Sequence, residues 1–222
     1  MNPCRVVIFD WDGTLVDSAA HIIRCVQAAA ADAGLDVPAA DKVRHVIGLS
    51  LERAFMSIVP AAGQDAFGSF VAAYREHFFR ATGEVQPLFP GVADVLAELR
   101  EQGLFLAVAT GKGRNGLRRG LEETGLKRFF DVTRCAEDTA SKPDPQMLRE
   151  ILDDLGLEPG EGLMIGDTSY DLEMAARIGM PSIGVTYGAH AREHLEPHRP
   201  LGLLDDIRAL PAYLSGAVQR TG

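Results

Sequence analysis

The stretch Arg5-Val6-Val7-Ile8-Phe9-Asp10-Trp11-Asp12-Gly13-Thr14 decides how this chain is read. Its apolar part, Arg5–Phe9, is continuous rather than alternating, the pattern of a strand covered on both faces. It runs straight into a pair of carboxylates. In an extended segment side chains two apart point to the same side, so Asp10 and Asp12 are expected to converge at the carboxyl edge of a sheet. That edge is where ligands bind in open parallel sheets. Neighbouring carboxylates raise each other's pKa unless a cation lies between them, and a hard divalent ion, most simply Mg²⁺, is the natural remedy. Gly13 lets the chain turn away tightly. Taken alone, the same residues would equally well close a solvated Asp-Gly turn.

Further apolar runs follow at Leu104–Ala109, Phe130–Thr133, Gly162–Ile165 and Pro181–Val185. Helical patterns separate the later ones: Gly91–Gln102 stops at Gly103, and Pro143–Leu155 opens on a proline and stops before Gly156. Strand and helix in alternation predict an α/β fold, a parallel sheet with helices on both faces. From Val16 to about Gln86 the rhythm breaks, and only helical periodicity appears. Asp17 and Ser18 can cap a helix carrying Ile22, Ile23, Val26 and Ala30. Ala66–Arg80 carries an aromatic stripe, Phe67, Phe70, Tyr74 and Phe78, which reads as packing within this segment rather than as a substrate wall. The expected organisation is a three-layer core of residues 1–15 and 87–222 with a smaller, all-helical unit of residues 16–86 inserted after the first strand, Val16 and Pro87 marking the linkers.

Composition narrows the function classes. The chain has 222 residues, 46% hydrophobic and 24% charged, which is ordinary for a soluble globular protein. Twenty-two basic against 31 acidic residues give a formal net charge of −9, which argues against binding a nucleic-acid backbone or an anionic membrane. Cys4, Cys25 and Cys135 form no CxxC pair and read as reduced thiols of a cytoplasmic protein. No basic segment followed by an apolar run opens the chain, so no signal peptide is expected. The apolar runs are far shorter than the ~20 residues that span a bilayer.

Two more carboxylates, Asp167 and Asp171, follow the fourth apolar run and could complete an oxygen cage, although Asp and Thr-Ser there are also good helix caps. Lys142 opens a helical segment and would supply the cation that an acidic phosphate site needs besides a metal. Thr110 ends the second strand with a hydroxyl suited to phosphate oxygens.

With these residues in view, the sequence resembles the haloacid dehalogenase superfamily of hydrolases, in its phosphoglycolate phosphatase-like branch. The resemblance runs in order through Asp10-Trp11-Asp12-Gly13-Thr14-Leu15-Val16-Asp17-Ser18, Thr110, Lys142-Pro143 and Gly166-Asp167 to Asp171, and covers Val6 to about Leu210. It implies a Rossmann-like core with a helical cap. It also implies a Mg²⁺-dependent phosphatase acting on a small phosphorylated metabolite, such as phosphoglycolate or a sugar phosphate. Asp10 would attack phosphorus to form an aspartyl-phosphate, and Asp12 would act as acid and then base. Thr110, Gly111 and Lys142 would hold the phosphoryl group. Asp10, the backbone carbonyl of Asp12 and Asp167 would bind Mg²⁺, and Asp171 would bond through water or support Lys142. The superfamily's dehalogenases lack the acid at Asp12, so carbon–halogen cleavage is not expected. The segment Arg44–Arg53 resembles the cap loop that faces the site, which nominates Arg44, Gly48 and Arg53 as substrate contacts. The protein is expected to be a monomer or homodimer.

Rival readings remain open at this level. Gly111-Lys112-Gly113-Arg114-Asn115-Gly116 spells GxGxxG after a strand, with Asp131 placed as a ribose acid would be, and so admits an NAD-binding oxidoreductase. A phosphomutase on the same core, or a binding protein that has lost catalysis, are the others. His190, His194 and His198 recur at four-residue spacing, but Pro197 interrupts them, and a solvated histidine-rich loop is expected.

Overall fold

The computed structural model describes residues 4–60, 66–80 and 86–219. The outer bounds expected for the core, 1 and 222, lie outside the described residues. Six parallel strands form one sheet: β1 Val6–Phe9, β2 Phe105–Ala109, β3 Val132–Arg134, β4 Gly162–Gly166, β5 Ser182–Val185 and β6 Gly202–Leu204. Their order, β3-β2-β1-β4-β5-β6, places β1 where the winding reverses. Phe9 lies level with Val108 on one neighbour and Ile165 on the other. Asp10, Thr110 and Asp167 therefore leave the same edge of the sheet, each just beyond a strand.

Side chains along the strands alternate between two apolar layers. Val7, Phe9, Leu106, Val108, Leu163 and Ile165 pack against α5 (Val92–Glu101) and α6 (Arg114–Glu123). Val6, Ile8, Ala107 and Met164 point the other way, onto α7 (Gln146–Leu155) and α8 (Ser169–Ala176). Burial on both faces is what continuous apolar runs encode, and the fold is the three-layer, Rossmann-like α/β arrangement. The helix expected from Pro143 starts at Gln146, and the Lys142–Pro143 peptide is cis.

Between β1 and β2 lie α1 (Ala19–Asp32), α2 (Ala40–His45), α3 (Leu51–Ile58) and α4 (Phe67–Arg80). They enclose an apolar cluster of their own around Ile23, Val26, Val43, Phe55 and Phe70. The chain enters and leaves this helical insert at one spot, where the Asp17 amide donates to the Pro87 carbonyl at 2.9 Å and Val16 bridges Leu88 antiparallel. Beyond β5, α9 (Arg192–Leu195), β6 and α10 (Leu210–Gln219) complete the core. Among the described residues no helix is long and apolar enough to cross a membrane.

Candidate active site

At the carboxyl edge, Asp10, Lys142, Asp167 and Asp171 are all fully buried. Lys142 Nζ donates to Asp10 Oδ1 at 2.5 Å and to Asp171 Oδ1 at 2.6 Å. Asp171 Oδ2 accepts from the Thr168 hydroxyl at 2.7 Å and amide at 3.1 Å, closing the capping box of α8 while fixing the lysine. Asp167 accepts from the Thr14 hydroxyl at 2.8 Å and from the Ala189 amide at 2.7 Å. One oxygen is left over: Asp10 Oδ2 is buried and has no hydrogen-bond partner.

Burial dominates the electrostatics of this cluster. It pushes Asp10 well above the usual carboxylate range, with Asp171 and Asp167 adding to the rise and Lys142 opposing it. Asp167 is raised from 3.8 to about 7 by burial and then by Asp171, against the pull of its hydrogen bonds. For Lys142, burial works against the charge, but Asp10 and Asp171 outweigh it and hold the ammonium above the lysine range. A single ammonium thus faces carboxylates that cannot all be ionised without a further cation. Oxygen atoms of Asp10, Asp167 and Asp171 lie within 4.8 Å of one another. That spacing, the hard oxygen donors and the orphaned Asp10 Oδ2 together fit a Mg²⁺-sized ion. The Asp12 carboxylate stands outside this group.

Asp12 does not share a cation with Asp10, contrary to the alternation of an ideal strand, because β1 ends at Phe9 and the chain is already turning. Its carboxylate accepts from Lys112 Nζ at 2.9 and 3.0 Å and from the Ser18 hydroxyl at 2.7 Å. Ser18 is the N-cap residue of α1 yet makes no side-chain cap; its hydroxyl serves Asp12 instead. The Lys112 ammonium also lies 4.6 Å above the Phe78 ring of α4. The turn itself depends on Gly13, whose φ is +94° and whose absent Cβ would stand 2.2 Å from Asp167 Oδ2. Lys112, Ser18 and Thr14 are the site residues that sequence reasoning did not single out. Thr14 and Ser18 were quoted within the first motif, whereas Lys112 was quoted only inside the glycine loop.

Asp10 and Asp12 both open onto a cavity of about 680 Å³ between the sheet edge and the insert. Thr110, Gly111, Gly48 and Arg53 line it; Arg44 does not. Arg53 donates to the backbone carbonyls of Lys142 at 2.9 Å and Ser141 at 3.4 Å, holding the lysine-bearing loop. The glycine loop at 111–116 is no dinucleotide cradle. It follows β2 rather than the first strand, and a Cβ on Gly111 would sit 2.3 Å from the Gly48 carbonyl oxygen of the insert.

Two expectations are refined. The aromatic stripe of α4 packs within the insert as expected at Phe67, Phe70 and Tyr74, but Phe67, Tyr74 and Phe78 also line the cavity. The histidine segment is not simply solvated. His190 is buried, accepts from the Ser169 amide at 3.1 Å through Nδ1, and stacks on His45 at 4.9 Å. Its Nε2 lies 3.0 Å from the His45 carbonyl, which the Tyr170 hydroxyl also reaches at 3.0 Å. His190 therefore ties the insert to the core.

Comparison with known proteins agrees with this geometry. Residues 7–185 match the family model described as haloacid dehalogenase-like hydrolase. The chain is 39% identical over 209 residues to the Probable phosphatase IndB of Dickeya dadantii, covering 90% of this chain and 89% of that one. It is 33% identical over 224 residues to the plasmid phosphoglycolate phosphatase of Cupriavidus necator, covering 97% and 95%. A haloacid dehalogenase-like family hydrolase from Streptococcus pneumoniae superposes with a TM-score of 0.82 at 26% identity, covering 96% of this chain and 99% of that one. With a buried carboxylate–lysine cluster at the switch point of a parallel sheet and a match over most of its length, this chain belongs to the haloacid dehalogenase-like hydrolases.

Proposed function

We infer that the protein is a phosphoric monoester hydrolase that uses Mg²⁺ and passes through an aspartyl-phosphate on Asp10. One observation carries this reading: a buried Asp10 with one oxygen fixed by Lys142, the other unpartnered, and the carboxylate open to a cavity that Asp12 also lines. An oxygen of Asp10 forms the new bond to phosphorus as the ester P–O bond breaks. Asp12, beside it, gives a proton to the departing alkoxide. A water then attacks phosphorus, surrenders its proton to Asp12 and displaces Asp10, releasing phosphate and restoring both groups. Lys112 and Ser18 hold the Asp12 carboxylate in place through both steps. Thr110 and Lys142 are the side chains suited to the phosphoryl oxygens, and Asp171 fixes Lys142. Asp10 and Asp167 would hold Mg²⁺, which when bound offsets the charge of carboxylates and phosphate.

The residues around the site support a small phosphorylated metabolite as substrate, in a core of residues 1–15 and 87–222 capped by residues 16–86. The free thiols of Cys4, Cys25 and Cys135 support work in a reducing cytoplasm. The formal net charge of −9 supports partners other than nucleic acid and anionic membrane. The protein would act as a monomer or homodimer. The test is hydrolysis of p-nitrophenyl phosphate and of a phosphorylated-metabolite panel, with Mg²⁺ or with EDTA, by wild type and Asp10→Asn. Metal-dependent turnover that the substitution abolishes is expected; turnover that survives it would remove Asp10 as nucleophile.

A further inference from the structure

The sheet-edge side of the cavity is polar, but much of the wall that the insert supplies is not. The insert contributes Ile22, Val26, Val71, Tyr74 and Phe78 to that wall. Val26 belongs to the buried cluster of the insert and Ile22, Val71 and Tyr74 pack against it, so one side of each fills the insert while the other faces the cavity; Phe78 lies outside that cluster. Tyr74 and Phe78 form the outer row, stepping along α4 at 5.7 Å between centroids and left half-buried against the cavity. The core loops add Asn115 and Thr139 to the same lining, uncharged groups with hydrogen-bonding capacity. The cavity thus pairs an apolar, ring-bearing surface with polar groups.

Charge points the same way. A substrate carrying a second anion, such as a carboxylate, needs a cation there to receive it. Lys112 is committed to Asp12 by bonds of 2.9 and 3.0 Å, and Arg53 is committed to the carbonyls of Ser141 and Lys142. Arg75 also lines the cavity, from an exposed position, and is outnumbered there by Glu52, Glu137 and Asp144. The lining thus favours apolar area over a second anion.

Resting on the phosphatase reading above, we propose that the preferred substrates are phosphomonoesters whose alcohol carries a planar, apolar or aromatic body seated on Tyr74 and Phe78. Small esters with a carboxylate beside the phosphate, such as phosphoglycolate, are poorer substrates. The cavity volume of about 680 Å³ accommodates such a body, whereas a two-carbon acid leaves most of the wall wet.

The test compares kcat/KM of the Mg²⁺-loaded wild type for phenyl phosphate and a purine nucleoside 5′-monophosphate with that for phosphoglycolate and glycerol phosphate. At least one aromatic ester should lead both small esters by about 10-fold or more, the discrimination an apolar pocket supplies. Tyr74→Ala should shrink that lead by about 10-fold, chiefly through KM of the aromatic ester. The dephosphorylated aromatic alcohol should also inhibit competitively where glycolate does not, a readout of binding without turnover. A panel led by phosphoglycolate or glycerol phosphate, with Asp10-dependent turnover intact, overturns this proposal and leaves the phosphatase reading standing. Absence of Asp10-dependent phosphate release from every ester refutes both.

Discussion

In the proposed mechanism Asp12 faces two demands: it must lie close to the departing oxygen and must not be drawn into the carboxylate cluster that would hold the metal. Lys112 answers both by holding the carboxylate away from Asp10 and Asp167, and Phe78 beneath the ammonium steadies the lysine. Replacing Lys112 by Met keeps the stem and removes the charge. Because general acid–base transfer supplies ~10²–10⁴-fold, a misplaced acid should lower kcat by about 10-fold or more. KM for a small ester should change less, and steady-state kinetics measure the split; an unaltered kcat would dismiss Lys112 as a positioning residue. The four carboxylates were readable in the sequence because parallel topology sends every strand end to one edge. The partner of Asp12 was not, for Lys112 stands 100 residues away and no local spacing says which lysine meets which aspartate. Ser18 misled in another way, since a helix-capping residue type in the capping position spends its hydroxyl on the site instead.

Among the elements, the insert reaches the core loop through α3. Ser50 accepts from the Arg53 amide at 3.3 Å as N-cap, and its own amide donates to Ser141 Oγ at 2.9 Å beside Lys142. Ser50→Ala removes the cap but spares the amide bond. A lost cap costs about 1 kcal/mol, so thermal unfolding should fall by ~2–4 °C in a chain this size. An unchanged midpoint would mean that the cap contributes nothing. The apolar stripe Leu51, Phe55 and Ile58 with Ser50 ahead of it was a legible helix signal, obscured by reading 44–53 as one loop. By contrast, α2 buries only Val43 and has no stripe to read. β6 is three residues long and half exposed, so neither length nor burial separated it from a loop. β1, β2 and β4 were legible because burial on both faces left no polar positions within them, whereas β3, also three residues long, carries Thr133 and Arg134.

For the molecule as a whole, the proposed Mg²⁺ would link stability to metal binding through the buried cluster. Asp167 is raised from 3.8 to about 7, so the metal-free fold binds a proton that the unfolded chain has lost. Its stabilising contribution is therefore complete below pH ~4 and disappears as pH rises through about 7. Mg²⁺ requires the deprotonated carboxylate, so it should raise the unfolding temperature more at pH 8 than at pH 5. Differential scanning fluorimetry with Mg²⁺ or EDTA at both values checks this; an equal rise would place the ion elsewhere.

The crossing point at Asp17 and Pro87 has a bearing on ancestry. The two chain ends that leave the core there are one backbone hydrogen bond apart, so joining them demands little loop-closure entropy. Everything between Ser18 and Gln86 is thus a cassette with adjacent ends. Lineages and protein engineers alike can exchange it for another lid, and so change what the enzyme selects, while every strand-end carboxylate keeps its place.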